Sequence, residues 1–234
     1  MSRGRFLLAS LFLTLAIAST VLAQEATPRP KQTPAAPQKA EGPPKKNERP
    51  AAQQTVAAEP FDDASVEKMA AQCVRLETEA GVIEMEMLPE HAPESVRNFL
   101  NLAATGAFDT TTFSRIVKGF VVQGGNLSTG QKWSLELSKR AARKIPDEPS
   151  LIKHERGIVS MARPDEPNSA TTHFFILVNS AAQLDGKFSA FGRVTGGMEV
   201  VDAINQAEAE NEKPAKPVVV TRASVRECRA GGSK

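Results

Sequence analysis

The sequence predicts a mainly β domain in which short antiparallel strands close on one another and helices cover the ends. Three observations point there. The second two-thirds of the chain is punctuated by short runs rich in Val, Ile and Phe, set apart by loops of Gly, Pro, Asn and Asp. Only two stretches carry a helical period, and no segment repeats. Several short strands with two separated helices favour a barrel, although periodicity alone leaves a sandwich open.

The elements follow in order. "CVRLETEAGVIEMEML" reads as two strands, 73–78 and 82–88, joined as a hairpin at Glu79-Ala80-Gly81. Pro93 opens a helix whose Val96, Phe99, Leu100 and Ala103 share one face, and Gly106 stops it. Strands resume at 112–117 and 120–123, followed by a long polar connection with two prolines to about Arg156. "GIVSMA", "HFFILV" and "SAFGRV" are three further strands. "GMEVVDAINQA" is a second helix with Met198, Val201 and Ile204 on one side, and "VVVTRASVREC" closes the chain as a strand.

The first sixty residues are of a different kind. Arg3 and Arg5, the apolar run "FLLASLFLTLAIAS" and the small residues of "VLA" predict an export signal over 1–23, cleaved after Ala23. The run is marginal for a span of about 20 residues, so no stable membrane insertion is expected after cleavage. Residues 24–60 hold eight of the sixteen prolines and no aromatic residue. They predict a disordered Pro/Ala/Lys-rich linker, because such a composition cannot bury enough apolar surface to offset its ordering entropy. One domain over 61–234 remains, placed by this reading in the periplasm or secreted, and expected as a monomer.

Charge and composition exclude several functions. Without Arg3 and Arg5 the formal +2 disappears, leaving 27 basic and 27 acidic residues, so the footprint expected of a nucleic-acid binder is missing. His91, His154 and His173 stand far apart without metal-ligand spacing, and "QGGNLSTGQK" is neither a P-loop nor a dinucleotide fingerprint; no metal and no cofactor is expected. Neither Ser114 nor Ser160 sits in a nucleophile elbow. The Asp147-Glu148 pair and the cluster Lys139, Arg140, Arg143, Lys144 read as solvated surface.

What remains is apolar surface with one arginine. In "FSRIVKGFVVQGG" Arg115 lies among Phe, Ile and Val. It can snorkel to solvent, or it can face a concave surface. The glycines favour the second, because glycine weakens a strand unless the backbone must bulge or let another chain approach closely.

"FSRIVKGFVVQGG", "GIVSMAR", "NSATTHFFILV" and "LDGKFSAFGRV", in this order and spacing, together resemble the cyclophilin family of peptidyl-prolyl cis-trans isomerases in its bacterial exported form. The resemblance covers about residues 73–228. It implies a closed eight-stranded antiparallel barrel capped by two α-helices, with proline-containing polypeptides of other exported proteins as substrates. By motif position it implies Arg115 as the catalytic arginine, with Phe120, Val121, Phe175, Leu184 and Phe188 lining the proline pocket. Gln123, Ala162, Arg163 and His173 fall where the family binds the substrate backbone and flank. Ser114, His173, Gln183 and Phe188 depart from residues common in the family. A module that binds proline peptides without turnover, acting as a chaperone or assembly partner, is the competing expectation; Arg115 with Phe120, Gln123 and Phe175 favours the enzyme. The resemblance also makes the first and last strands antiparallel neighbours, which would bring Cys73 and Cys228, the only cysteines, within reach of a disulfide in an oxidising compartment.

Overall fold

The computed structural model describes residues 58–228; the expected export signal and nearly all of the expected linker lie outside them. Strands β1 (Gln72–Thr78) and β2 (Gly81–Met87) form the expected hairpin, with Thr78 paired to Gly81 across the turn. Their apolar residues alternate, so Val74, Leu76, Ile83 and Met85 all point inward and are fully buried. The remaining strands of the main sheet are β3 (Arg115–Val117), β4 (Val121–Gly124), β5 (Ile158–Met161), β6 (Phe174–Leu177), β7 (Ala190–Gly196) and β10 (Val220–Glu227). A small hairpin of β8 (Ala209–Glu210) and β9 (Lys213–Pro214) forms a second, two-stranded sheet beside β3.

The eight strands run antiparallel in the order β10-β1-β2-β7-β5-β6-β4-β3. The end strands β3 and β10 share no ladder. The sheet curls until a bridge between Thr112 and Val219 links its two ends, helped by hydrogen bonds from Phe113 N to Val218 O (3.0 Å) and from Val220 N to Thr111 O (2.7 Å). Inside the curl, Phe99, Phe108, Phe113, Phe174 and Phe191 form a buried aromatic cluster with centroids 4.9 to 6.3 Å apart.

Both expected helices are present. Helix α2 (Pro93–Ala104) starts on its proline and packs on β7 and β10, whereas α4 (Met198–Gln206) packs on β2, β3 and β4. Two short helices were not expected: α1 (Val66–Ala70), and α3 (Leu135–Ala141) inside the long polar connection. Helix α3 has no fully buried residue and hence no apolar stripe for a periodicity reading to find; its sequence signal is Ser134, whose side chain caps the helix by accepting from Leu137 N at 3.2 Å.

That connection also corrects two sequence expectations. Glu148 is no solvated carboxylate: it accepts from Glu94 N, Ser95 N and Ser95 Oγ at 2.7 to 2.8 Å, capping α2 where Ala92 offers no side-chain cap. Its neighbour Asp147 pairs with Arg163 at 3.1 Å. In the basic cluster, Arg140 pairs with Glu59 at 2.6 Å in a largely buried contact.

At the far side of the sheet, β1 and β10 pair so that Cys73 lies opposite Arg226, and Cys228 N reaches Ala71 O at 2.9 Å. Cys73 and Cys228 form a disulfide there, with Cα atoms 4.9 Å apart.

Candidate functional site

The alternation that fills the curl leaves a second face. In β4, Val122 goes to the main core while Val121 and Gln123 face outward; in β6, Phe174 and Ile176 go inward while Phe175 and Leu177 face outward. Register then aligns the outward residues. Arg115 is paired with Gln123, Gln123 with Phe175, and Phe175 with Ser160, so one row crosses β3, β4, β6 and β5.

The apolar part of this face is a separate cluster. Val121, Ile158, Phe175, Leu177, Ala181 and Ala190 are buried in it, with Phe120, Ala162, Leu184 and Phe188 packed against them. Phe175 and Phe188 meet edge to face, with centroids 5.9 Å apart. The structure thus brings together all five residues expected in the proline pocket. Beside them lies a groove of about 420 Å³ lined by Arg115, Gln123, Ala162, Arg163 and His173, the other half of the expected set. Ala162 belongs to both parts, and the Gln123–Phe175 pair joins them.

Arg115 does not snorkel away. Its Nη1 donates to Gln123 Oε1 at 3.1 Å and its Nε to Glu212 Oε2 at 2.7 Å. The glycines have the reason their pattern implied. Gly125 has φ +82°, and a side chain there would place Cβ 2.2 Å from Thr172 O; a Cβ on Gly124 would press on Phe113 and Phe174. The close approach at Gly125 fixes the loop that carries His173. Burial pushes the pKa of the His173 ring below the ordinary histidine range, so it is neutral at pH 7.

Arg163 lines the groove while its guanidinium holds the wall together. It pairs with Asp147, donates to Pro164 O at 2.9 Å and sits 5.2 Å over the Phe188 ring. Pro164, Ser169 and Thr171 complete the groove and were not singled out from sequence. Thr171 is set by α2, since Asn98 Nδ2 donates to its carbonyl at 2.7 Å. Asn205, on the buried side of α4, was also missed: it accepts from Gly119 N and donates to Val117 O and Val121 O, clamping the β3–β4 turn. The only sequence signal for it is an Asn four residues after Val201, on the apolar face of a helix.

His154 is buried under this face with Nδ1 3.2 Å from Asp185 Oδ1; burial lowers its pKa, and Asp185 opposes that in part. Asp185 directly follows Leu184, and its carboxylate also accepts from His154 N at 2.8 Å, which fixes the loop bearing Leu184. Among the described residues no group of three or more His, Cys, Asp or Glu is placed to hold a metal.

A family model for the cyclophilin type peptidyl-prolyl cis-trans isomerase matches residues 73–225. The peptidyl-prolyl cis-trans isomerase A of Dickeya dadantii is 37% identical over 163 residues, covering 65% of this chain and 83% of that protein. The isomerase cypE of Dictyostelium discoideum is 37% identical over 158 residues, covering 67% of this chain and 99% of that protein. Among solved structures, a cyclophilin type isomerase of Cryptosporidium parvum, crystallised in the presence of the dipeptide Ala-Pro, superposes with a TM-score of 0.59 at 29% identity, covering 67% of this chain and 99% of that one.

Proposed function

The chain belongs to the cyclophilin-type peptidyl-prolyl cis-trans isomerases, and from that premise we propose that the outer face of its sheet binds X-Pro segments and turns the bond between an apolar pocket and Arg115. The observation that carries this reading is the row Arg115–Gln123–Phe175, which sets a cation beside an aromatic wall.

The reaction asks for little chemistry. Rotation about X-Pro breaks no σ bond and transfers no proton; it must cross a resonance barrier of roughly 18–20 kcal/mol. A proline ring seated on Phe120, Val121, Phe175, Leu184 and Phe188 leaves water, which disfavours the polar, resonance-stabilised amide. As the amide twists, the lone pair localises on the prolyl nitrogen, and a guanidinium donor fixed beside it stabilises that state more than the planar one. Arginine serves because it stays charged at any working pH and presents a rigid fork. Gln123 holds the fork, and the backbone and ring at Ala162 and His173 offer contacts for the substrate main chain.

We further place this activity outside the cytoplasm, on unfolded or flexible exported proteins, with the enzyme acting as a monomer. The signal-like residues 1–23 support export, and a disulfide between the only two cysteines is compatible with an oxidising compartment.

A coupled assay on a proline peptide tests the mechanism. Arg115→Ala should lower kcat/KM by about two orders of magnitude or more while leaving the melting temperature nearly unchanged. Wild-type turnover in the folded variant would remove Arg115 from the reaction. Peptide binding without acceleration by the unmodified protein would leave a binding module.

A further inference from the structure

Beside Arg115 stands a glutamate whose backbone conformation its own side chain disfavours. Asn211 and Glu212 are the two residues between β8 and β9, with φ of 49° and 65°. Hairpin turns of this length favour positive φ at both positions, which Asn tolerates and Gly fills without strain. Glutamate in the second place is strained, and strain of this sort persists where the surrounding structure holds it and the side chain is needed.

The surroundings show both. Ile116 N donates to Glu212 O at 2.7 Å, hooking the turn onto the residue that follows Arg115. The Glu212 carboxylate then accepts from Arg115 Nε at 2.7 Å, while Gln123 Oε1, on the neighbouring strand, accepts from Arg115 Nη1. Among the described residues Nη2 has no hydrogen-bond partner. The Arg115–Glu212 pair is half exposed, at 43% and 50% of the two side chains, so it adds little to stability. Its effect is on direction.

We propose that Glu212 is a positioning residue for isomerisation: with Gln123 it holds two of the three guanidinium nitrogens and leaves Nη2 for the twisted amide. This rests on the reading of Arg115 given above. An unclamped arginine would have to freeze several side-chain torsions in each transition state, whereas a clamped one has lost that freedom beforehand. The carboxylate accepts from Nε alone among the described contacts, so it holds the cation by one hydrogen bond and leaves the Nη2 donors unspent.

The test uses the whole protein and separates position from fold. Glu212→Gly relieves the strained φ and deletes the carboxylate, so the melting temperature should stay or rise while kcat falls about tenfold with KM little changed. The Arg115 Nε–Hε NMR signal, hydrogen-bonded and slow to exchange in the parent, should lose both properties. Glu212→Gln keeps an acceptor oxygen and should lose less, about threefold. In an Arg115→Ala background Glu212→Gly should cost nothing further, because its effect passes through the missing guanidinium.

Parent-like kcat in Glu212→Gly, with Arg115→Ala crippled, overturns the role of Glu212 and leaves Arg115 in place. Equal losses in both backgrounds, or a melting temperature that falls with turnover, overturn it in favour of a structural turn. Parent-like turnover in Arg115→Ala removes the premise, and the proposal falls with it.

Discussion

The imidazole of His173 lines the groove, and its environment fixes when its charge matters. Burial holds its pKa below the ordinary histidine range. As pH falls from neutrality, the unfolded chain takes up the proton first, so stability that is full above the ordinary value is lost as pH drops through it toward the lower folded pKa. Turnover should likewise be flat between about pH 7 and 8 and change only below about pH 6.5, whereas His173→Gln should stay flat throughout. Superimposable pH profiles of kcat/KM for the two proteins would take the ring out of the groove. His154 shifts in the same direction, so the comparison of variants carries the argument and not the stability curve alone. At this scale the sequence was legible wherever a residue's role depends on its own strand. Arg115 and Gln123 stand eight positions apart in one hairpin, inside one motif. Glu212 is 97 residues from Arg115, and Asn205 is 86 from Gly119. Nothing local distinguishes Glu212 from an ordinary polar surface residue, and for Asn205 only its place on the apolar face of α4 does.

Helix α2 shows what the elements owe to segments that look featureless. Its apolar face and its opening proline are plain in the sequence, but its N-terminal amides are answered by Glu148, over fifty residues away. Glu148→Ala should therefore cost about 1–2 kcal/mol of stability, the scale of a lost helix cap, and a urea titration would read it as a lower midpoint with an unchanged slope. Because α2 also sets Thr171 through Asn98, some loss of peptide affinity should accompany it. The long connection was illegible because its helix buries little: α3 touches the core only with Leu137 and Ala141, and the region is held by scattered links, the Arg140–Glu59 and Arg163–Asp147 ion pairs, the bridge of Ile145 to Ala170 and the hydrogen bonds of Asp147 and Glu148. The strands were legible because each alternates apolar with polar residues, as β1 and β2 do, or runs apolar throughout, as β5 and β6 do. The all-apolar runs hid which of their faces carries the site.

For the molecule as a whole, antiparallel order and strand count followed from the family resemblance, whereas the way the sheet ends meet did not. A bridge at Thr112 and Val219 in place of a ladder depends on register, which strand composition does not encode. Register also decides the cysteine pair. With Cys73 and Cys228 separated by 155 positions in sequence, the chain-entropy model gives the disulfide about 5 kcal/mol. Reduction should lower the melting temperature substantially and leave initial turnover nearly intact, since the bond joins β1 to the residue just after β10 and the groove lies at β3, β4, β5 and β6. Intact mass after alkylation without reduction checks the premise, and two added labels would show free thiols. The bond spans almost the entire described chain, with every loop around the groove inside it. A protease that cuts at the fully exposed Leu151 would therefore release nothing: the two pieces would travel as one band on a gel until a reductant is added, each still holding its own strands of the sheet, so a nicked enzyme in a protease-rich compartment would remain a single covalent molecule.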